Sequence, residues 1–208
     1  MKLVKKGAEA DIYRGSWNGR AAILKVRKPK GYRVPQLDAR IRRQRTSRES
    51  LMLSHARSLG VTTPLVYLVD TANYAIVMQD VPGSVVQGLP DDDIVGLSAR
   101  MGRMVGTLHR SGIMHGDLTT SNFVYDGGRD ALYMIDFGLS QSTSKPEDHA
   151  VDMRLIKEIL NSAHARIMAE SWKRLLQGYA RAVGYERRAK IVRLVSVIEG
   201  RGRYATVV

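Results

Sequence analysis

The sequence predicts an α+β protein of two lobes, a small antiparallel sheet with one long helix followed by a reduced, mostly helical second half. Three observations predict it. Strand-like apolar runs at residues 20–26 and 74–78 flank residues 36–58, where Leu37, Ile41, Leu51, Met52 and Leu53 lie among charges with no Gly or Pro, so that stretch reads as a long helix. The second strand then runs into Gln79-Asp80-Val81-Pro82-Gly83, turn residues that suit a connector between lobes. Beyond it, Ile94, Leu97, Met101, Met104, Val105 and Leu108 recur at the helical period, and further helical stretches follow. These features put a first lobe at residues 1–81 and a second at residues 82–208.

Within the first lobe, Lys6-Gly7-Ala8-Glu9-Ala10 keeps one glycine where a phosphate-cradling Gly-x-Gly-x-x-Gly loop has three. Gly7 and Ala8 can then offer a phosphate only part of that loop's backbone approach, and some contact must come from elsewhere. The strand at 20–26 carries Lys25, in the place of the Lys in Val-Ala-Ile-Lys. The helix holds two acids, Asp38 and Glu49. Asp38 lies near the helix start, where the helix dipole accounts for it, which leaves Glu49 as the candidate partner of Lys25; a surface pairing with a nearby Arg is its alternative reading. At the end of strand 74–78, Met78 reads either as core or as the wall of a ligand site, with the backbones of Gln79 and Val81 beside it.

The second lobe opens with Asp91-Asp92-Asp93, which we read as capping the amphipathic helix that follows rather than binding metal. Its most specific stretch is His115-Gly116-Asp117-Leu118-Thr119-Thr120-Ser121-Asn122, with Asp136-Phe137-Gly138 fourteen residues further on. The first loop supplies Asp117 to orient and deprotonate an acceptor hydroxyl and Asn122 to lend an amide oxygen to Mg²⁺; Asp136 suits the metal that bridges the phosphates of ATP. An isolated Asp-Phe-Gly would be an ordinary turn. Here the two loops flank one hairpin, residues 123–125 and 131–135 joined by Asp126-Gly127-Gly128-Arg129-Asp130. With Lys25 and Glu49 upstream, the set describes a minimal protein-kinase-like fold, with Asp117, Lys25 and Glu49 as catalytic candidates, Asn122 and Asp136 as metal candidates, and Gly7, Ala8, Met78, Gln79 and Val81 as nucleotide contacts.

After Asp136 come 72 residues with no Ala-Pro-Glu and no long activation segment, so the peptide-docking half of a full kinase is not expected in them. Residues 146–152 lead into a helix expected through about Met168, followed by helices at about 172–183 and 186–199 split by Gly184. Asp152 resembles the buried helix acid that braces the catalytic loop of kinases, and Asp148 reads as a helix cap. His115 reads as a packing and loop-bracing residue; His55, His109, His149 and His164 have no metal-ligand spacing.

The chain resembles the small atypical kinases of the KEOPS complex, the p53-related protein kinase family, over nearly its whole length. The resemblance rests on the two loops above, on Gly7-Ala8-Glu9-Ala10, on Arg33-x-Pro35-x-Leu37-Asp38 followed by Arg45-Thr46-Ser47-Arg48-Glu49, and on Arg201-Gly202-Arg203. It implies an ATP- and Mg²⁺-dependent kinase or ATPase that supports threonylcarbamoyl modification of tRNA adenosine, beside the complex's synthase subunit and a second small KEOPS subunit. Two departures from ordinary kinases carry mechanistic content. Gly116 stands where regulated kinases have an Arg that receives a phosphorylated activation loop, and Thr119 stands where Ser/Thr kinases put a Lys against the moving phosphoryl group. Without that charge, transfer to protein acceptors is weakened and water becomes the favoured acceptor.

Net charge is +13, unevenly distributed. Residues 1–60 carry 16 basic and 4 acidic side chains, residues 61–160 carry 7 and 13, and residues 161–208 carry 10 and 3. The acidic middle holds the proposed metal site. Basic density peaks at Arg40, Arg42, Arg43, Arg45 and Arg48 and again at Arg187, Arg188, Lys190, Arg193, Arg201 and Arg203, patches that suit tRNA phosphates; a solvated face is the plain alternative. With no cysteine and no run near the ~20 apolar residues that span a membrane, a soluble cytoplasmic protein is expected. Other readings are a RIO-type kinase of ribosome maturation, a small-molecule phosphotransferase, whose longer acceptor domain has no room here, and a tRNA-binding scaffold with a vestigial site.

Overall fold

The computed structural model describes the backbone of residues 1–204 and the side chains of residues 1–201; the side chain of Arg203 lies outside the described residues. Strands β1 (Lys2–Lys6), β2 (Ala10–Trp17) and β3 (Arg20–Arg27) form a meander. Asn18 and Gly19 both take left-handed backbone, φ 47° and 75°, the two-residue turn whose twist matches that of the strands it joins. Helix α1 (Pro35–Ser58) then crosses the sheet, its leading proline suited to a first turn that needs no N–H partner. Strands β4 (Val66–Asp70) and β5 (Ala75–Gln79) complete a five-stranded antiparallel sheet in the order β1-β2-β3-β5-β4. Lys25 is central in it, opposite Ile12 on β2 and Ile76 on β5.

Asp38 lies in the first turn of α1, as its dipole reading has it, and is also buried in ion pairs that the sequence position does not reveal. It is 3% exposed, accepts hydrogen bonds from Arg42 Nε at 2.6 Å and from the backbone N–H of Lys30 at 3.2 Å, and has Arg33 at 3.6 Å. Arg42, with its guanidinium 3.8 Å from the centroid of the Tyr74 ring, ties α1 to the turn before β5.

Past the connector, β6 (Ser84–Val85), β8 (Phe123–Asp126) and β9 (Ala131–Met134) form a small sheet in the order β6-β8-β9, so the expected hairpin is β8–β9. A second ribbon pairs β7 (Ile113–Met114) with β10 (Gln141–Ser142). Helix α2 (Asp91–Arg110) has Pro90 as its N-cap residue and no side-chain cap, so its three leading acids act through the helix dipole and not as caps. Helix α3 (Pro146–Ala163) ends five residues before the expected Met168. His164 leaves the helix at φ −133°, ψ 39°, with Nε2 3.2 Å from Thr120 Oγ1, a contact between distant segments that no local periodicity reveals. Helices α4 (Met168–Val183) and α5 (Tyr185–Tyr204) follow, broken at Gly184 as expected.

The second-lobe core gathers Ile94, Met101, Val105 and Leu108 of α2, Phe123 and Met134 of the hairpin, Met153, Ile156 and Leu160 of α3, and Leu175 and Tyr179 of α4. Helices α2 and α4 cross in backbone contact. A Cβ at Gly102 would lie 1.9 Å from the Leu175 carbonyl oxygen, and one at Gly178 would lie 1.8 Å from that of Ala99. Gly178→Ala is therefore expected to lower stability by about 1–3 kcal/mol through overpacking, whereas Gly96→Ala, in open space on the same α2, should raise it by up to about 1 kcal/mol. Urea unfolding of the two variants tests the crossing; equal effects would refute it.

Candidate active site

Glu49 projects from the middle of α1 under the sheet and is 1% exposed. Its Oε1 accepts from Lys25 Nζ at 2.6 Å, and its Oε2 accepts from Arg27 Nη2. Lys25 and Arg27 share one face of β3 because side chains alternate along a strand. Lys25 Nζ also donates to Asp136 Oδ1 at 2.7 Å, which joins the two lobes. Burial alone would pull the Lys25 ammonium down, but the carboxylates of Glu49 and Asp136 outweigh it and hold its pKa above the ordinary value. Burial likewise opposes ionisation of Asp136, and Lys25 with the Gly138 N–H outweighs it, so this carboxyl stays below the usual range. Asp136 sits at φ 60°, sparsely populated for a residue with a side chain, and its side chain is 44% exposed. The turn thus keeps a charged carboxylate at the mouth of the site.

The catalytic loop is braced from beneath by Asp152 of α3. Its carboxylate accepts from the backbone N–H of His115 at 2.5 Å and of Gly116 at 2.8 Å, as the sequence suggested. Burial would favour a protonated carboxyl, yet the bonds to His109 and to the loop keep its pKa low. His115 braces the loop a second way: Nε2–H donates to the Ile135 carbonyl at 3.2 Å, Nδ1 accepts from the Asp117 N–H at 3.4 Å, and the ring packs on Phe137. Gly116 has a conformational reason beyond the missing Arg. Its φ is 81°, and a Cβ would lie 2.4 Å from the Leu139 carbonyl oxygen. Asn122 donates Nδ2 to the Asp117 carbonyl at 2.7 Å and to Asp117 Oδ2 at 3.1 Å, and is not among the residues lining the cleft that Lys25, Asp117 and Asp136 share.

Lys25, Asp117 and Asp136 line one cleft of about 450 Å³ with Gly7, Ala8, Arg27, Arg45 and Leu139. Gly7 donates its N–H to the Ala10 carbonyl at 3.0 Å, and the loop is latched by Arg45 Nη1 on Glu9 Oε2 at 2.9 Å and by Lys30 Nζ on the Ala8 carbonyl at 2.7 Å. Met78, Gln79 and Val81 are not among the residues lining this cleft. The Gln79 N–H donates to the Leu65 carbonyl at 2.7 Å, so it is committed within the sheet. Sequence reasoning missed Arg27 and the Arg45–Glu9 latch; the spacing of Arg27 two residues after Lys25 was the available signal. Among the basic candidates, Arg40, Arg43 and Arg201 are exposed, whereas Arg42 is engaged with Asp38 and Tyr74.

The model of the RIO domain matches residues 25–171. The chain is 37% identical over 214 residues to the KEOPS complex subunit Bud32 of Pyrococcus abyssi, covering 98% of this chain and 96% of that one. The chain belongs to the RIO family, in its Bud32 branch. It is also 41% identical over 202 residues to a probable bifunctional tRNA threonylcarbamoyladenosine biosynthesis protein of Methanothermobacter thermautotrophicus, and there it spans 36% of the relative's length. The fold is that of RIO-type and related kinases. The Rio2 kinase of Chaetomium thermophilum, solved as an ADP/Mg²⁺-phosphoaspartate complex, aligns at TM-score 0.63 over 98% of this chain and 72% of that one, at 18% identity. WaaP, solved with acyl carrier protein, aligns at 0.61 over 99% and 88%, at 19% identity. No helix among the described residues is long and apolar enough to cross a membrane.

Behind the RIO catalytic loop lies a buried histidine pair. His109 bonds Asp152 Oδ2 at 3.2 Å and the Tyr179 hydroxyl at 3.0 Å, and His149 stacks on it at 4.3 Å between centroids. Burial, with repulsion from His109 and Arg187, pushes His149 down from 6.5 to about 4. Between those values the unfolded chain binds a proton here that the folded chain does not, so stability falls as pH drops through that window. His149→Phe keeps the stack and cannot titrate; it is expected to recover on the order of 2 kcal/mol of the loss between pH 7 and pH 4.5. Urea unfolding at the two pH values measures it, and an unchanged pH slope would refute the assignment.

Proposed function

We propose that this chain is a Mg²⁺-dependent ATPase and atypical serine/threonine kinase that serves the threonylcarbamoyl modification of tRNA adenosine within a KEOPS-type assembly. The observation that carries the reading is the bridge of Lys25 Nζ between Glu49 and Asp136, with Lys25 and Asp136 lining a cleft that Asp117 also lines. Lys25, oriented by Glu49, would bind the α and β phosphates of ATP. Asn122 and Asp136 are hard oxygen donors, and two protein ligands suit Mg²⁺, which retains waters and phosphate oxygens and when bound neutralises charge on the phosphates. No cluster of three acidic or histidine ligands occurs among the described residues, which supports a metal that arrives with its nucleotide. Asp117 would take the proton of the attacking hydroxyl or water.

One feature favours water over a protein acceptor, and a second argues against control by loop phosphorylation. Thr119 brings a hydroxyl, bonded to Ser121 Oγ at 2.7 Å, where a Lys would stabilise the moving phosphoryl group. Gly116 cannot be replaced by an Arg without meeting Leu139, so loop phosphorylation has no cation to receive it. The relatives' names support a tRNA-modifying assembly, and a chain that spans 36% of a protein called bifunctional supports a working partnership with a synthase subunit. Lys25→Met and Asp136→Ala are each expected to lower ATP turnover at least about 100-fold, and folding is expected to be retained in Asp136→Ala, whose native side chain is 44% exposed; undiminished turnover would overturn the proposal.

The exposed Arg40, Arg43 and Arg48 on α1 and Lys190, Arg193 and Arg201 on α5 are cations available to tRNA phosphates. In gel shifts, Arg43→Glu with Arg201→Glu is expected to weaken tRNA binding and flatten its salt dependence. Arg42→Glu is expected to cost stability instead, because it buries like charges at Asp38. Unchanged tRNA affinity in the first variant would count against the patch.

A further inference from the structure

We propose that Arg27 is a second phosphate-binding cation of the cleft, one that contacts the triphosphate directly beside Lys25; the proposal rests on the ATP reading above. The phosphate loop keeps one glycine of three, and Thr119 removes a further cation, so the described cleft must recover positive charge from elsewhere. Arg27 is the residue placed to supply it. Its side chain is 5% exposed and lines the cleft wall with Lys25. It lies opposite Ala10, at the base of the phosphate loop, in the β2–β3 register.

The guanidinium is also aimed. Nη2 is its one nitrogen with a protein hydrogen bond among the described residues, to Glu49 Oε2. An Arg carries five N–H donors in a planar fork, so most of them remain for a ligand. The same Nη2 lies 2.9 Å from where a Cβ would stand on Gly138, so the group reaches up to the Asp-Phe-Gly turn itself. Charge closes the case. Glu49 alone answers both Lys25 and Arg27, and Asp136 would turn to metal, so the pair presents a surplus positive charge to the cleft. A buried cation in that position is well matched to two non-bridging oxygens of a phosphate, which a guanidinium engages bidentately. A purely structural Arg27, there to neutralise Glu49, would affect ligands with different numbers of phosphates alike, unlike one that touches the phosphates.

That difference is the test. Binding of adenosine, MgADP and MgATP is measured calorimetrically for the wild type, Arg27→Gln and Arg27→Lys. Arg27→Gln is expected to weaken MgATP about 10- to 100-fold, the size of one or two charge-assisted hydrogen bonds, to weaken MgADP less, and to leave adenosine within about twofold; Arg27→Lys should recover part of the loss. An equal loss for all three ligands, or none for MgATP, overturns the role of Arg27 while leaving the ATP reading intact. Failure of the wild type to bind MgATP overturns both. Should Arg27→Gln not fold, the guanidinium Nε–H resonance of the wild type, assigned by its loss in Arg27→Lys, decides the matter: it should shift with MgATP and stay put with adenosine, and no shift with MgATP refutes direct contact.

Discussion

One buried carboxylate, Glu49, fixes the working geometry of the first lobe. Both of its oxygens are taken, one by Lys25 and the other by Arg27, so α1 cannot rotate or withdraw without leaving a charge unpaired in the interior. Breaking such a pair by removing one partner costs about 3–5 kcal/mol, which is large against the stability of a domain this size. Lys25 passes the constraint onward, because the same ammonium holds Asp136 of the second lobe. An ionic chain of four side chains, Arg27–Glu49–Lys25–Asp136, thus sets the distance between sheet, helix and Asp-Phe-Gly turn before any ligand arrives.

The second lobe solves the matching problem on its own side. A catalytic loop has few backbone partners within itself, so its geometry must be borrowed from regular structure. Asp152 of α3 supplies two bonds to the loop backbone, His164 at the end of that helix reaches Thr120, and His115 ties the loop to the Ile135 carbonyl. Arg187 of α5 adds a bond to the His109 carbonyl at 2.7 Å and one to His149 at 3.2 Å, which extends the support to the basic C-terminal helix. The helices behind the loop therefore act as its scaffold, and the close α2–α4 crossing keeps that scaffold compact.

Much of the site was legible because its chemistry is local in sequence. His115 to Asn122 and Asp136 to Gly138 announce their roles by residue type and spacing, and Lys25 and Glu49 follow because few residues in their elements could pair. The bracing role of Asp152 was legible by resemblance. What the sequence hid was set by contacts across the chain. Asp38 reads as a dipole acid until Arg42, one turn on, is seen to bury it; His164 ends α3 through a bond to Thr120, with no Gly or Pro to mark the break. Gly116 reads as a lost Arg, while its positive φ and the nearness of Leu139 make it a conformational requirement. Arg27 lies just past the strand read at residues 20–26, and only the folded sheet reveals that it shares Glu49 with Lys25.

The proposed binding of a metal-bound triphosphate by Lys25, Asp117, Asn122 and Asp136, with Glu49 behind Lys25, is tested most directly by crystals grown with Mn²⁺ and a non-hydrolysable ATP analogue. An anomalous peak ligated by Asn122 and Asp136, with Lys25 on the phosphates and Asp117 beyond the terminal one, is the expected result. Nucleotide bound with its metal away from both residues, or a cleft without nucleotide at saturating concentration, would contradict it.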